Sequence, residues 1–189
     1  MTKGRAETLL RDAGQSIDVT IFRPSVIFGP GDSLTNRFAG LLRLGAGFLP
    51  LARPRARFAP IFVDDVVRAF LYSLRERGTA GQTFELCGPD VLSLADLVRA
   101  TALAAGLKCH IVPLPDLLAR LQGLVLGMLP GKPFSLDNFR SLTLDSICRE
   151  NGCARLGIEP LRLSAVVPTY LGGESVPERL SRYRETAER

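Results

Sequence analysis

A strand that has to stop constrains this sequence more than any other feature. Between Asp18 and Asp32 the chain reads D-V-T-I-F-R-P-S-V-I-F-G-P-G-D. Val19, Ile21 and the run Val26-Ile27-Phe28 are β-branched or aromatic, which suits a buried strand. Pro24 has no N–H for a sheet ladder, so the strand ends or lies at an edge near that position. Gly29-Pro30-Gly31-Asp32 then forces a loop. A strand that stops and releases its main chain into such a loop borders a crevice, which is where open α/β sheets take ligands.

The remaining elements alternate around it. Residues 2 to 13 carry Ala6, Leu9, Leu10 and Ala13 at helical spacing, closed by Gly14. A helix is predicted from about Leu34 to Leu44, ended by Gly45, Gly47 and Pro50, and residues 51 to 57 read as a Pro/Arg loop. The apolar segment Ala59 to Val63 leads into Asp64-Asp65. A carboxylate there can cap the following helix, whose broad apolar face carries Val66, Val67, Ala69, Phe70 and Leu74. Gln82 to Cys87 alternates as a strand. Ser93-Leu94-Ala95-Asp96 reads as a capping box for a helix reaching about Leu107. Cys109 to Pro113 is a short strand, 115–129 a strongly apolar helix, 135–146 a further helix, and Leu163 to Leu171 a short one. Early β/α alternation with a helical later part means an α/β architecture.

The chain has 189 residues, enough for one core. No apolar run is long enough to span a bilayer, and the first residues are not a signal peptide. The four cysteines, at 87, 109, 148 and 153, do not form a dense framework, and read as reduced thiols of a cytoplasmic protein. The formal charge of +5 is spread, with one denser patch at Arg43, Arg53, Arg55 and Arg57. Without interleaved aromatics or a nucleic-acid motif, it reads as a solvated basic surface rather than a nucleic-acid site. An anionic cofactor or membrane headgroups would also account for it.

Few residues offer chemistry by themselves. Asp64 and Asp65 are adjacent and point differently on a helix, so they suit a cap and a solvent carboxylate better than acid/base work. His110, the sole histidine, has no nucleophile placed with it by sequence. Cys148 and Cys153 have C-x4-C spacing, unlike a zinc ribbon, so no metal is expected. The 115–129 helix is too short to cross a membrane. It suits a core or a partner-facing surface, with peripheral membrane contact as the alternative.

Three motifs, in this order and spacing, carry a resemblance. Thr2-Lys3-Gly4-Arg5-Ala6-Glu7 looks like the start of a helix holding a Tyr-x-x-x-Lys pair. Phe22-Arg23-Pro24-Ser25-Val26-Ile27-Phe28-Gly29-Pro30-Gly31 is similar to a strand and loop of the form L-R-x-x-x-x-[YF]-G-P. Ile61-Phe62-Val63-Asp64-Asp65-Val66 is similar to [IH]-x-V-x-D-V. Together they resemble the extended short-chain dehydrogenase/reductases, the NAD-dependent epimerase/dehydratase type. Phe22-Arg23-Pro24-Ser25, Asn36-Arg37-Phe38-Ala39 and Leu156-Gly157-Ile158-Glu159-Pro160 followed by Leu163 bring the texture closer to atypical members related to the Rossmann-type accessory subunit of respiratory complex I.

The resemblance implies the C-terminal part of a Rossmann-like parallel sheet plus a smaller, mostly helical substrate-side subdomain, over residues 1–172. Residues 173–189 are expected to be a polar tail. It implies NAD or NADP as cofactor, only partly contacted by this chain. Lys3 stands where the family's lysine holds the nicotinamide ribose and lowers the pKa of a tyrosine general acid/base. That tyrosine would precede Met1, as would the glycine-rich phosphate loop, so neither is in this chain. Pro24, Ser25 and Val26 match the backbone that lines the nicotinamide pocket. The substrate would be a small molecule. Phe58 stands near where nucleotide-sugar epimerases place a diphosphate-gripping arginine, and Val26 where many carry asparagine. The implied function is an NAD(P)-dependent oxidoreductase or epimerase-like protein. The alternative is a non-catalytic dinucleotide-binding accessory protein of a respiratory-complex-like assembly. A partial sheet would also expose apolar surface and favour self-association.

Overall fold

The computed structural model describes residues 2–13, 17–115, 117–118 and 142–172. In chain order the first elements are α1 (Thr2–Ala13), β1 (Ile21–Pro24), β2 (Ile27–Phe28), α2 (Thr35–Leu44), β3 (Phe48–Ala52), β4 (Arg57–Phe58), β5 (Ile61–Phe62) and α3 (Val63–Arg75). Then come β6 (Thr83–Leu86), β7 (Leu92–Ser93), α4 (Leu94–Ala104), β8 (His110–Leu114), α5 (Leu163–Val166) and α6 (Pro168–Leu171). They form two compact units. The first takes Met1–Ile27, Phe58–Val91 and Ser146–Arg162; the second takes Phe28–Arg57, Leu92–Asp145 and Leu163–Arg189. Parallel strand pairs with helices between them make this a partial Rossmann-like fold, α/β as the alternation implies and Rossmann-like as the resemblance implies.

In the first unit β1 and β6 run parallel, from Ile21 opposite Thr83 to Pro24 opposite Leu86. Pro24 is the last residue of its strand, where its missing N–H costs the ladder least. β6 alternates: Phe84 and Leu86 are buried, Thr83 and Glu85 partly exposed. The buried pair joins Ile61, Val66, Ala69, Cys153, Leu156 and Ile158 in one core, with Phe22 packed against it. The Phe22 ring lies 4.7 Å from that of Phe70 and 5.8 Å from that of Phe84, centroid to centroid, within the range of favourable aromatic pairs. The helix face expected to be apolar is only partly covered. Val66 and Ala69 are inside, while Val67, Phe70 and Leu74 remain exposed.

Two expectations in this unit need correcting. Asp65 is not a cap: Phe62 occupies the N-cap position, no side chain caps the helix there, and the Asp65 carboxylate is fully buried. It accepts the Leu161 N–H at 2.8 Å and an Arg68 Nη1 hydrogen at 3.4 Å. A residue inside the first turn can rotate its side chain toward the core, and here a main-chain donor 96 positions away waits for it. Nor are all cysteines reduced. Cys87 and Cys148 form a disulfide, their Cα atoms 6.0 Å apart, while Cys109 and Cys153 are free. A separation of 61 positions hides such a pair from any reading of local spacing.

In the second unit α2 packs on α4, and β3 runs parallel to β8 with Phe48 opposite His110 and Ala52 opposite Leu114. The strand β3 takes up Leu51 and Ala52, which the Pro/Arg pattern assigns to a loop. Its buried Leu49 and Leu51 alternate with exposed Phe48 and Pro50. The capping box forms: the Ser93 oxygen accepts the Asp96 N–H at 3.1 Å, and the Ser93 O–H donates to the Asp96 carboxylate at 2.6 Å. The Leu163–Leu171 helix breaks at Val167 into α5 and α6, with Pro168 in the first turn of α6. Residues 142–146 are turn, bend and an isolated bridge rather than the end of a helix. Asp145 there accepts two guanidinium hydrogens and the main-chain N–H of Arg57 at 2.8–3.0 Å. The apolar helix of 115–129, most of the 135–146 helix and the tail fall outside the described residues. Among the described residues no helix is long and apolar enough to cross a membrane.

Candidate functional site

Of the motif residues of the first unit, Pro24, Ser25 and Val26 follow one another at the end of β1, and α1 is tied to β1 through Glu7 and Arg23. Lys3 lies in the first turn of α1, one turn before Glu7 on the same helical face. The Glu7 carboxylate takes two hydrogen bonds from the Arg23 guanidinium, one of them Nε to Oε1 at 3.1 Å. Their hydrogen bond, and then their charge attraction, raises the Arg23 pKa above its ordinary value. The pair is solvent-screened, so its contribution is orientation of α1 against β1 more than stability.

The next three residues divide their main chain between two directions. Ile21 N–H donates to Gln82 O at 3.0 Å and Ser25 N–H to Leu86 O at 2.8 Å, so residues 21 and 25 bond toward β6. Alternation in a parallel ladder turns the carbonyls of Phe22 and Pro24 to the other edge. No described strand pairs that edge. The Pro24 carbonyl is therefore an acceptor at the crevice, and the ring next to it contributes no competing donor. Ser25 and Val26 are engaged internally. The Ser25 hydroxyl donates to Ser146 O at 2.5 Å and lies 3.1 Å from Ser146 Oγ, while Val26 O accepts the Ile61 N–H at 2.9 Å. The stretch therefore presents one outward main-chain acceptor, at Pro24, followed by the internally bonded Ser25 and Val26.

Beside it opens a cleft of about 280 Å³ lined by Arg23, Phe84, Glu85, Arg149 and Arg155 among others. The Arg155 guanidinium sits 4.9 Å above the centre of the Phe84 ring, and Glu85 accepts the Arg149 N–H at 2.7 Å. Sequence reasoning misses this cleft because its walls come from β6 and from residues more than sixty positions later.

Sequence reasoning also misses the polar centre of the second unit. Asp32 accepts N–H groups from Gly29, Leu34, Thr35 and Asn36 at 2.7–3.2 Å, the Thr35 hydroxyl at 2.7 Å and the Tyr170 hydroxyl at 3.1 Å. Burial by itself would raise the Asp32 pKa; the Gly29, Thr35 and Asn36 hydrogen bonds outweigh it and hold the carboxyl below its ordinary range. Burial, with the charge of Asp32, pushes the Tyr170 phenol up, so it stays a neutral donor. The local signal was D-S-L-T ahead of an apolar helix; Tyr170 had none. The cluster organises the loop after Gly31, where the glycine takes φ = 77°.

The other candidates are dispersed. Asp64 is exposed and Asp65 is buried in its structural role. His110 stacks on Phe48 with ring centroids 5.0 Å apart. Among the described residues no three metal-capable side chains come together.

No family model matches the chain. It is 30% identical over 179 residues, 89% of its length and 42% of the relative's, to the NADH dehydrogenase (ubiquinone) 1 alpha subcomplex subunit 9 of Arabidopsis thaliana. The chain thus spans less than half the length of that relative. By structure it resembles the UDP-glucose 4-epimerase of Thermotoga maritima, solved with UDP-glucose. The TM-score is 0.65 with 17% identity, over 90% of this chain and 50% of that one. RMD from Pseudomonas aeruginosa, solved with NADPH, is similar at a TM-score of 0.59 with 19% identity, over 88% of this chain and 52% of that one. Homology to the accessory subunits and the fold of the extended short-chain dehydrogenase/reductases both stand, as the resemblance implies. The cytoplasmic expectation does not. The relatives that are NADH dehydrogenase subunits, from a plant, a fungus and mouse, are mitochondrial by name. Cysteine spacing does not report on compartment.

Proposed function

We propose, from the premise that this chain is homologous to the complex I accessory subunits and has the fold of the extended short-chain dehydrogenase/reductases, that it forms the nicotinamide side of an NAD(P) site. The observation that supports this is the open edge of β1, toward which the Pro24 carbonyl points and where no described strand pairs. The bound dinucleotide supplies hydride chemistry. The chain's own residues bind and orient it. Pro24 accepts from the carboxamide, Ser25 and Val26 limit its plane, and Lys3 holds the ribose hydroxyls. Glu7 and Arg23 keep α1 in register with β1.

Isothermal titration of the full chain with NADH and NADPH tests the reading. Binding is expected, and Lys3→Ala should weaken it about tenfold, the value of one charge-assisted hydrogen bond. No binding of either dinucleotide, or equal binding by the variant, would sink it.

A second reading is favoured by the 30% identity to an accessory subunit over most of the chain. In it the dinucleotide is held without turnover. Dinucleotide binding without hydride transfer or epimerisation across a broad substrate panel supports this version, and measured turnover removes it.

A further inference from the structure

We propose that the Cys87–Cys148 disulfide is a dithiol-responsive latch. It fixes a strap, residues 146–153, along the end of β6, and through Ser146 it sets the hydrogen bonding of Ser25. The effect on Ser25 as a cofactor-side residue rests on the nicotinamide reading above; the latch itself does not.

The two ends of the strap are held differently. At the far end the Asn151 side chain extends the β6 ladder: its amide donates to Cys87 O at 2.8 Å, and its oxygen accepts the N–H of Cys87 at 3.3 Å and of Cys153 at 3.1 Å. Gly152 N–H donates to Glu85 O at 2.7 Å, and Cys153 is buried in the core. That end is packed and needs no covalent bond. The near end is half-exposed and polar. Ser146 O accepts the Ala59 N–H at 3.0 Å and the Ser25 hydroxyl, and the Arg149 N–H reaches the Glu85 carboxylate. Between those contacts the disulfide is the anchor. Opening it releases residues 146–149 and leaves 151–153 in place.

The sulfurs differ in access in the same sense. Cys87 is buried and Cys148 only partly so. A dithiol reductant therefore attacks Cys148 Sγ as a thiolate. The S–S bond breaks, its electron pair leaves on Cys87 Sγ, and that sulfur takes a proton. The reductant's second thiol then displaces Cys148, which takes the second proton, and the reductant ends as a disulfide. Two electrons and two protons pass to the protein. Cys153 does not divert this exchange. Its thiol donates to Cys87 O at 3.8 Å, and burial raises its pKa, so it stays protonated and unreactive. With the latch closed, the Ser25 hydroxyl hydrogen is committed to Ser146 O; with it open, the hydroxyl can turn to a ligand.

Hydrogen exchange by mass spectrometry on the full chain, before and after dithiothreitol, tests the latch without any cofactor. The Ala59 and Arg149 amides should exchange about tenfold faster or more after reduction, with Gly152 unchanged. Cys148→Ser should show the reduced pattern under oxidising conditions. Unchanged Ala59 and Arg149 exchange overturns the latch. So does equal acceleration at Gly152, which would make the bond a structural staple, and so does finding Cys87 and Cys148 as free thiols in the unreduced protein. NADH titration of the two redox forms then tests the Ser25 clause. Different affinities support it. Equal affinities overturn that clause alone, and no binding in either form overturns the nicotinamide reading while the exchange data still decide the latch.

Discussion

Two carboxylates organise the two units by opposite means. Asp32 gathers donors from its own neighbourhood, four N–H groups between positions 29 and 36 and the Thr35 hydroxyl, with Tyr170 as the single distant one. Asp65 takes no cap bond from its own helix; it is sealed from solvent and meets the Leu161 N–H from 96 positions away. The first builds a turn that already wants to form. The second closes a long stretch of chain, and burial raises the cost of losing it, because an orphaned donor in the interior has no water to turn to. Number of hydrogen bonds is thus a poor guide to which carboxylate matters more to stability.

That comparison can be broken by mutation. Asp65→Ala should lower the unfolding free energy by about 2–3 kcal/mol in urea titration, because it strands the Leu161 N–H and removes the partner of Arg68. Asp65→Asn, which keeps an acceptor, should lose about 1 kcal/mol. Asp32→Ala should cost about 1–2 kcal/mol, the range of a helix-start cap, despite its larger set of bonds. If Asp32→Ala proved the more damaging, the argument from burial would be wrong. Tyr170→Phe should cost about 1 kcal/mol, since the Thr35 hydroxyl and the Asp32 carboxylate keep each other.

Acid gives a further test of Asp32. The folded Asp32 has a lowered pKa. Between that value and the ordinary carboxylate value the unfolded chain binds more protons, so stability rises with pH there. Its contribution is present above about pH 4 and disappears as pH falls through the folded value. Urea midpoints between about pH 5 and about pH 2 should fall less steeply for Asp32→Asn than for the parent chain.

The same local-against-distant distinction decides what could be read from the sequence. The β6 alternation, the Ser93–Asp96 box and the break at Pro24 were legible because each rests on neighbours within a few positions. β3 was not: Pro50 and the glycines before it look like the end of a helix, and only pairing with β8 makes them a strand. Asp65 sat in a cap-like motif, and its true partner is set by tertiary packing. At the site, the end of the strand at Pro24 was legible. The hold of Ser146 on the Ser25 hydroxyl spans 121 positions and has no sequence signal.

The covalent tie between Cys87 and Cys148 also changes how the chain would bear force. Its ends lie 61 positions apart, and the whole of Leu92–Asp145 lies between them. Tension applied at the two termini crosses the sulfur bridge and never reaches that stretch. A single oxidised molecule stretched to its limit would therefore come up about 210 Å short of its reduced form, with the enclosed stretch of chain bearing no load.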